Sequence, residues 1–371
     1  MFNALDHQMM TRAVRLAERA RYWARPNPHV GCVICKAGAV VGEGFTQPPG
    51  SAHAEVMAMQ QAGVDARGAT VYVTLEPCSH HGRTPPCADA LIRAGVQRVV
   101  LAVLDPHPAV NGRGASRMRD AGLKVDEGLM AAEVEAQLKG FLLRHRRGRG
   151  RVRAKLAMSL DGRTAMASGE SKWITGPPAR SEVQRMRADS CAILTGVGTV
   201  LGDDCALTVR EPPQGDFELP DASRYALRVV ADTRLRTPED AAVLQGPQAS
   251  LLLHAPDVPV PQGLANVPRE SVATTSKGLD PVAILDAIVR RDCNEILLES
   301  GPQLAGTLLQ AGLVDELVVF MAPKLLGSDA RPLLYLPLEK MAQAYRLVLR
   351  DQRQFGSDLR LIFDCESSGT K

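Results

Sequence analysis

The residues best suited to chemistry lie between His53 and Cys87. The stretch reads His53-Ala54-Glu55, then an apolar run from Val71 to Leu75, then Glu76-Pro77-Cys78-Ser79-His80-His81-Gly82-Arg83-Thr84-Pro85-Pro86-Cys87. A zinc ion that activates water takes three protein ligands and keeps a fourth position open, and one His with two Cys thiolates is such a set. His53, Cys78 and Cys87 form it here. Two thiolates cancel the charge of the metal, so the water is acidified less than in an all-His site and needs a base beside it. Glu55 is placed for that role. On a helix, positions i and i+2 sit roughly 200° apart, so Glu55 would flank the metal from the first turn instead of ligating alongside His53. Such an arrangement suits hydrolytic loss of an amine, with a non-ligand Glu carrying the proton from water to the departing nitrogen.

The combination carries the signal, because His-x-Glu alone is common by chance. Pro77-Cys78 follows a strand, and Cys87 opens a helix at Pro85-Pro86-Cys87-Ala88-Asp89-Ala90-Leu91. The bland alternative is two buried structural thiols beside a core histidine. His80 and His81 are rival ligands, but Cys87 is preferred because three softer or helix-anchored ligands already exist, which leaves the two histidines to hydrogen-bond at the pocket rim. Eight residues separate the two cysteines, whereas the nucleobase-deaminase signature has two. The longer insert should shape a different pocket.

Several elements must position this set. Apolar residues at Met9, Met10, Ala13, Leu16, Ala17 and Ala20 predict a helix from about Asp6 to Ala24, ended by Pro26. Strands at Cys32–Cys35 and Ala39–Gly44 with a turn at Lys36-Ala37-Gly38 predict a hairpin. Cys32 and Cys35 resemble a redox or metal pair, but their odd separation on a strand favours core thiols. Asn27, between two prolines, suits either a substrate contact or a plain turn. A loop then delivers His53 to a helix reaching about Gln61. The strand Val71–Leu75 leads into the cysteine loop, the helix from Cys87 stops at Gly95, and Arg98–Leu104 is the next strand. Met118–Gly122 and Leu123–Val125 predict one more helix and strand. Strands alternating with helices imply a layered α/β sheet.

Composition narrows the class. At 371 residues the chain suits two domains. Hydrophobic content of 45% and charged content of 23% are those of a globular protein. A net charge of +3 with only 4% aromatics leaves little for stacking or attracting nucleic acid, so no nucleic-acid partner is expected. No run approaches the roughly eighteen apolar residues of a membrane span, and no membrane association is expected. Eight cysteines without paired spacing, and an N-terminus without the pattern of a leader, point to a cytoplasmic protein.

Arg144-His145-Arg146-Arg147-Gly148-Arg149-Gly150-Arg151 is a basic, glycine-containing run. It reads as a domain junction on a solvated surface, with a nucleic-acid contact as the alternative. Beyond it come a strand at Val152–Met158, a helix from about Pro177 to Asp189, and a strand at Ala192–Thr195 that runs into Gly196-Val197-Gly198-Thr199. Glycines there let a backbone approach a phosphate, though the spacing is not the Rossmann fingerprint. Residues 212–224 read as an insertion. Strands at Leu227–Ala231, Ser250–His254 and Glu295–Glu299, a helix at Pro281–Arg290, and Ser300-Gly301-Pro302 opening another helix follow. Glu316–Met321, Tyr345–Leu349 and Leu359–Phe363 complete the sheet.

Taken together, the two halves resemble the bifunctional riboflavin-biosynthesis deaminase/reductase family over essentially the whole chain. His53-Ala54-Glu55 with Pro77-Cys78 and Pro86-Cys87 is similar to cytidine-deaminase-like domains. Arg25-Pro26-Asn27-Pro28 and His80-His81-Gly82-Arg83-Thr84-Pro85-Pro86 narrow this to the pyrimidine branch of that pathway. The second half resembles the dihydrofolate-reductase-like fold through Ser159-Leu160-Asp161-Gly162, Gly198-Thr199 with Asp203-Asp204, and Glu299-Ser300-Gly301-Pro302. His107 stands where the family usually has Asn, and Cys205 where it commonly has Pro.

The resemblance implies a three-layer α/β/α deaminase domain over residues 1–145 and an α/β reductase domain over residues 151–371. It implies Zn2+ at His53, Cys78 and Cys87 with Glu55 as proton shuttle. NADPH contacts would fall at Ala157, Trp173, Thr199, Asp203, Thr233 and Gly301, and substrate contacts at Ser171, Arg187, Leu207, Arg210 and Glu299. The substrate would be a pyrimidine ribosyl phosphate, and a homo-oligomer is expected. Arginines suit a sugar phosphate, Trp173 a planar ring, and Gly301 a close backbone approach. Lys155 and Asp161 are proton-donor candidates or plain hydrogen-bonding groups. Arg163 and Arg180 are candidates for a cofactor 2′-phosphate or for surface roles. Rival readings are a single-activity nucleoside or tRNA deaminase with a ligand-binding second domain, an RNA-binding protein with a structural metal, and a regulatory homologue without turnover.

Overall fold

Met9, Met10, Ala13, Leu16 and Ala17 recur at helical spacing and are all buried, which is why the chain coils over α1 (Ala4–Arg19). Asn3 caps it, its side chain accepting from the Asp6 amide while the Asp6 carboxylate accepts from the Asn3 amide. The helix stops short of the expected Ala24 because the chain turns to bury Tyr22 and Ala24. This computed structural model describes residues 1–80, 85–221 and 225–365.

By internal contacts the chain divides into two compact units, Met1–Gly148 with Gln214–Pro220, and Arg149–Pro213 with residues 221 onward. In the first unit, α1 is followed by β1 (Gly31–Lys36), β2 (Ala39–Phe45), α2 (Ala54–Ala62), β3 (Thr70–Leu75), α3 (Cys87–Ala94), β4 (Arg98–Val103), α4 (Arg113–Asp120), β5 (Lys124–Glu127), α5 (Ala131–Gln137) and α6 (Lys139–Arg147). The sheet order is β2-β1-β3-β4-β5, with β1 antiparallel to both neighbours and the rest parallel. Ala37 and Gly38, both at positive φ, close the predicted hairpin. A Cβ on Gly31 would strike the Ala13 carbonyl of α1. One on Gly44, which pairs with the next residue Cys32, would lie 2.5 Å from the Ala54 carbonyl of α2. Successive strand positions point to opposite faces, so α1 and α2 cover the two sides and make three layers. Cys32 and Cys35 are core thiols, as expected.

Basic residues 144–147 belong to α6, which ends at Gly148 with φ 73°. The remainder of the expected solvated run is also structured: Arg149 makes a two-pronged pair with Asp315 at 2.6 and 2.7 Å.

The second unit contains β6 (Arg151–Ser159), β7 (Arg163–Ala165), α7 (Pro177–Ala188), β8 (Ala192–Gly196), α8 (Val197–Asp203), β9 (Leu227–Ala231), β10 (Ser250–His254), β11 (Arg269–Ser271), β12 (Thr274–Thr275) and β13 (Gly278–Leu279). These are followed by α9 (Pro281–Val289), β14 (Glu295–Leu298), α10 (Pro302–Gln310), β15 (Glu316–Ala322), β16 (Arg331–Pro332), β17 (Leu347–Phe355) and β18 (Asp358–Cys365). The main sheet has nine strands in the order β11-β10-β9-β8-β14-β6-β15-β18-β17. From β11 to β15 they run parallel, and β18 and β17 are antiparallel. The α/β expectation holds in both units. Ligand sites in such sheets form at the carboxyl ends of the strands, where the order reverses. Here that place is around β8, β14 and β6.

Two details depart from the sequence reading. The glycine run after β8, to which the sequence pattern assigns no element, is the short helix α8. Of the expected insertion, 222–224 lie outside the described residues, while Gln214–Pro220 belongs to the first unit, where Phe217 meets Tyr22 edge-on at 5.1 Å. Among the described residues no helix is long and apolar enough to cross a membrane.

Candidate catalytic sites

β2 accepts α2 closely because Gly42 and Gly44 present no side chain to it. That contact seats His53, the residue before the first turn of α2. Cys78 arrives by the loop that leaves β3, and Cys87 is the first residue of α3. The three ligand atoms lie within 4.8 Å of one another. His53 Nδ1 is 3.7 Å from Cys78 Sγ and 3.3 Å from Cys87 Sγ. Tetrahedral zinc with bonds of about 2.1 Å to nitrogen and 2.3 Å to sulfur puts such atoms roughly 3.6 Å apart, so the trio fits that ion. Among the described residues no fourth His, Cys, Asp or Glu joins the group. His80 is exposed and stacks at 5.7 Å on His107 instead, and His81 to Thr84 lie outside the described residues.

The two thiols share protons unevenly. A hydrogen bond from Cys87 holds the Cys78 thiol far below the usual range, aided by His53 and by the Cys87 main-chain N–H at 3.3 Å. The Cys87 thiol is pushed up correspondingly. A metal ion takes both as thiolates. Glu55, on the first turn of α2, is 4% exposed. Burial pushes its carboxyl up to about 7, opposed by the charge of His53 and reinforced by Cys78.

Glu76 escaped the sequence reading. Its buried carboxylate accepts from the main-chain N–H groups of Asp105 (3.1 Å), Gly112 (2.9 Å) and Ala115 (3.0 Å), tying the loop after β4 to the loop that carries Cys78. The Glu-Pro-Cys spelling is the only sequence trace of that role. His107 lies in the tied loop. Its Nδ1 accepts from the Ala109 amide at 3.1 Å, and its ring meets His145 at 4.8 Å. Asn27 sits in a turn closed by its N–H to Ala24 O.

The second unit gathers most of the remaining expected residues at the carboxyl ends of its strands. Arg187 on α7 pairs with Glu299, just beyond β14, through Nε at 2.7 Å and Nη2 at 2.9 Å. Arg187 Nη1 also donates to Thr208 O at 3.0 Å, holding the loop of Leu207 and Arg210. Burial opposes the Glu299 charge, but Arg187, Lys155 and Arg210 keep its carboxyl below the ordinary value. Lys155 is pulled down by burial and held up by Glu299. Ser171 Oγ donates to Asp203 at 2.8 Å, and the Gly301 amide donates to Thr199 Oγ1 at 3.2 Å. Gly301 precedes α10, whose first-turn amides lie open to an anion. A backbone stripped of side chains beside Thr199 suits the pyrophosphate of a dinucleotide.

Trp173 is 61% exposed, with Arg180 lying 4.5 Å over its ring. Ala157 lies on β6 and Thr233 beyond β9, and neither side chain bonds to the other expected residues. Asp161 is a turn residue: Ser159 first, then the Gly327 and Leu326 amides, hold its carboxyl at about 2. Arg163 donates to Ala330 O and Arg180 to Thr175 O.

Known proteins match along the same division. Residues 3–103 match the cytidine and deoxycytidylate deaminase zinc-binding region, and residues 151–361 match the RibD C-terminal domain. The riboflavin biosynthesis protein RibD of Escherichia coli K12 is 50% identical over 363 residues, covering 96% of this chain and 98% of its own length. The RibD of Haemophilus influenzae is 44% identical, covering 98% of each chain. Among solved structures, RibD of Acinetobacter baumannii superposes with a TM-score of 0.90 at 42% identity, covering 98% of this chain and 99% of its own. A diaminohydroxyphosphoribosylaminopyrimidine deaminase/5-amino-6-(5-phosphoribosylamino)uracil reductase from Thermotoga maritima gives 0.85 at 30% identity, covering 97% and 99%.

Proposed function

Because the chain belongs to the RibD family of bifunctional riboflavin-biosynthesis enzymes, we propose that its two sites act on one pyrimidine in succession. The chain is a deaminase and a reductase of riboflavin biosynthesis. Deamination of 2,5-diamino-6-ribosylamino-4(3H)-pyrimidinone 5′-phosphate comes first, and NADPH-dependent reduction of its ribosyl chain to ribityl follows.

His53, Cys78 and Cys87 would hold zinc, which polarises a water and lowers its pKa when bound. Water adds to the amino-bearing ring carbon, the carbon–nitrogen bond breaks, and a carbonyl replaces the amine. Glu55 takes a proton from the water and hands one to the departing ammonia. A carboxyl near 7 can do both at neutral pH. Glu76 keeps the neighbouring loop in place.

When bound, NADPH would supply a hydride to the sugar carbon attached to nitrogen, in its opened imine form, with a proton from solvent going to that nitrogen. Arg187, Glu299, Arg210, Leu207 and Ser171 would seat the ribosyl phosphate. Ala157, Thr199, Asp203, Thr233 and Gly301 would hold the dinucleotide, with Trp173 covering a planar ring. Positioning is the main demand of that step.

We place the protein in the cytoplasm: among the described residues, which include all eight cysteines, none forms a disulfide. A homo-oligomer is supported by β17, an edge strand that leaves Leu347, Val348 and Leu349 between 37% and 50% exposed. Light scattering on the purified chain tests it, and a monomer at micromolar concentration would refute it.

The observation that carries the reading is a three-ligand group with a buried carboxylate beside it and a Cβ-free helix start in the second unit. A coupled assay tests it. With the diaminopyrimidine phosphate supplied, ammonia release should precede NADPH oxidation, and omitting NADPH should leave ammonia release intact. NADPH consumption without ammonia release would reverse the order and defeat the proposal.

A further inference from the structure

Numbering would place Gln214–Pro220 with the second unit, yet the segment folds as part of the first. Main chain, charge and ring each hold it there. The Glu218 amide donates to Arg19 O at 2.9 Å, pairing one of the carbonyls that the last turn of α1 leaves without a partner inside the helix. The Arg19 side chain answers, with Nη2 at 3.2 Å from Glu218 Oε1 and Nε at 3.4 Å from Asp216 Oδ1. Phe217 sets its ring edge-on against buried Tyr22 at 5.1 Å. Gly215, at φ 147°, makes room for this, because a Cβ there would fall 2.4 Å from the Phe217 ring. A loop that merely joined α8 to β9 would need none of these contacts.

What Arg19 and Tyr22 touch gives the segment its use. The Arg19 guanidinium lies 4.5 Å over the ring of Phe45, the last residue of β2. Trp23 packs on the same ring at 6.2 Å, and its indole N–H donates to Thr46 O at 3.1 Å. Tyr22 O accepts from Arg25 Nη2 at 2.9 Å, within the turn that runs into Pro26-Asn27-Pro28. Thr46 ties that turn down, its Oγ1 donating to Pro28 O at 3.1 Å and accepting from the Val30 amide at 2.9 Å. The Gly31 amide, next in the chain, donates to Thr74 Oγ1 at 3.1 Å. Because β1 runs antiparallel to β2 and β3, its start lies beside their ends, where the chain leaves once for His53 and once for Cys78. Asn27 therefore sits at the end of the sheet that carries the proposed metal ligands, on a turn braced through Tyr22 and Arg19 by Phe217 and Glu218.

We propose that Gln214–Pro220 is a brace for the deaminase centre, with Phe217 and Glu218 as positioning residues that hold the Asn27 turn in place beside the pyrimidine. This rests on the deaminase reading and deepens it. Neither residue would touch substrate, so removing them should weaken capture of the pyrimidine and leave the zinc ligands and the proton shuttle as they are.

Full-length Phe217→Ala, Phe217→Tyr and Glu218→Gln test this, with ammonia release, zinc content and amide hydrogen exchange measured on each. Phe217→Ala should raise KM for the diaminopyrimidine phosphate by roughly threefold to tenfold and speed exchange across residues 20–30 by a similar factor, while kcat stays within about twofold. Glu218→Gln loses only the ion pair with Arg19 and should raise KM and that exchange by about twofold. Phe217→Tyr keeps the ring and should behave as wild type. Zinc content, and NADPH oxidation with the deaminated pyrimidine, should be unchanged in all three. Unchanged KM and exchange in Phe217→Ala overturn the assignment. So does a loss of zinc or of NADPH oxidation in step with ammonia release, because the segment would then serve general stability. Should Phe217→Ala not fold, Glu218→Gln decides, and wild-type exchange across residues 20–30 in that variant overturns the brace. A wild type that binds zinc yet releases no ammonia brings down the deaminase reading, and this inference with it.

Discussion

The two sites are built on opposite plans. In the first unit, three proposed metal ligands and a carboxylate come from one stretch of chain, and all are held by helix starts and a loop that leaves a strand. In the second unit, the expected residues run from Lys155 to Gly301 and meet only because parallel strands end side by side. A metal centre demands particular side chains at short range. A site for a sugar phosphate and a dinucleotide draws on main-chain amides, a paired arginine and an exposed ring, which many sequences could supply. The first site should therefore fail abruptly when one atom changes, and the second by degrees.

Glu55→Gln should have the largest effect on the first site. It keeps the shape of the side chain and removes its proton chemistry, so ammonia release should fall by about a hundredfold to ten-thousandfold. Zinc content by mass spectrometry and NADPH oxidation with pre-deaminated pyrimidine should both stay at wild-type levels. Substantial deamination by this variant would remove Glu55 from the mechanism.

Arg187→Met probes the strongest single contact of the second site. It leaves buried Glu299 without its two-pronged partner, and breaking a buried pair costs about 3–5 kcal/mol. Denaturant unfolding should show that loss, with KM for the pyrimidine raised. The double variant Arg187→Met, Glu299→Gln should recover stability without recovering KM. If both recover, the pair is structural and not a substrate clamp.

A smaller effect concerns the scaffold of the first site. Burial would raise the Asp6 carboxyl, but Arg98, the Asn3 amide and Tyr72 together hold it at about 2. A depressed carboxyl contributes stability that is fully present above its unfolded value of 3.8 and is lost as pH falls through about 2. Unfolding measured between pH 4 and pH 2 should therefore show a decline on the order of 2 kcal/mol from this group. Asp6→Asn should start less stable and lack that part of the decline. Smallest of all, Trp173→Ala should raise KM for NADPH by roughly threefold to tenfold, because an exposed ring contributes only about 1 kcal/mol of stacking. A change in ammonia release in that variant would contradict the separation of the two sites.

Legibility in the sequence follows the same division. His53, Cys78 and Cys87 stand out because few residue types ligate zinc, and Glu55 because it follows His53 by two positions; the strand and the helix that flank the cysteines are visible in apolar periodicity. Most strand positions were readable for the same reason, since a parallel strand buried on both faces is a nearly continuous apolar run, as in Glu295–Leu298 and Leu227–Ala231. What could not be read is the polar interior. The carboxylate of Glu76 organises a loop nearly forty positions away in sequence, and Arg228 is fully buried with three main-chain carbonyls as acceptors. Neither follows a period or a motif. The glycines after β8 show no helical periodicity, and the helix they join is enforced by burial of Val197 and Val200. Ala157, Leu207 and Thr233 entered only through resemblance, since nothing in an alanine, a leucine or a threonine announces a ligand.

On the proposed function one chain carries two independent centres, of which only the first depends on a metal. Chelation of the full-length protein, followed by separate assays of ammonia release from the diaminopyrimidine phosphate and of NADPH oxidation with the deaminated pyrimidine, tests it most directly. Ammonia release should fall in step with zinc content and return on adding one equivalent of zinc, with NADPH oxidation unchanged throughout. Deamination that persists in the metal-free chain, or two activities that fall together, would contradict it.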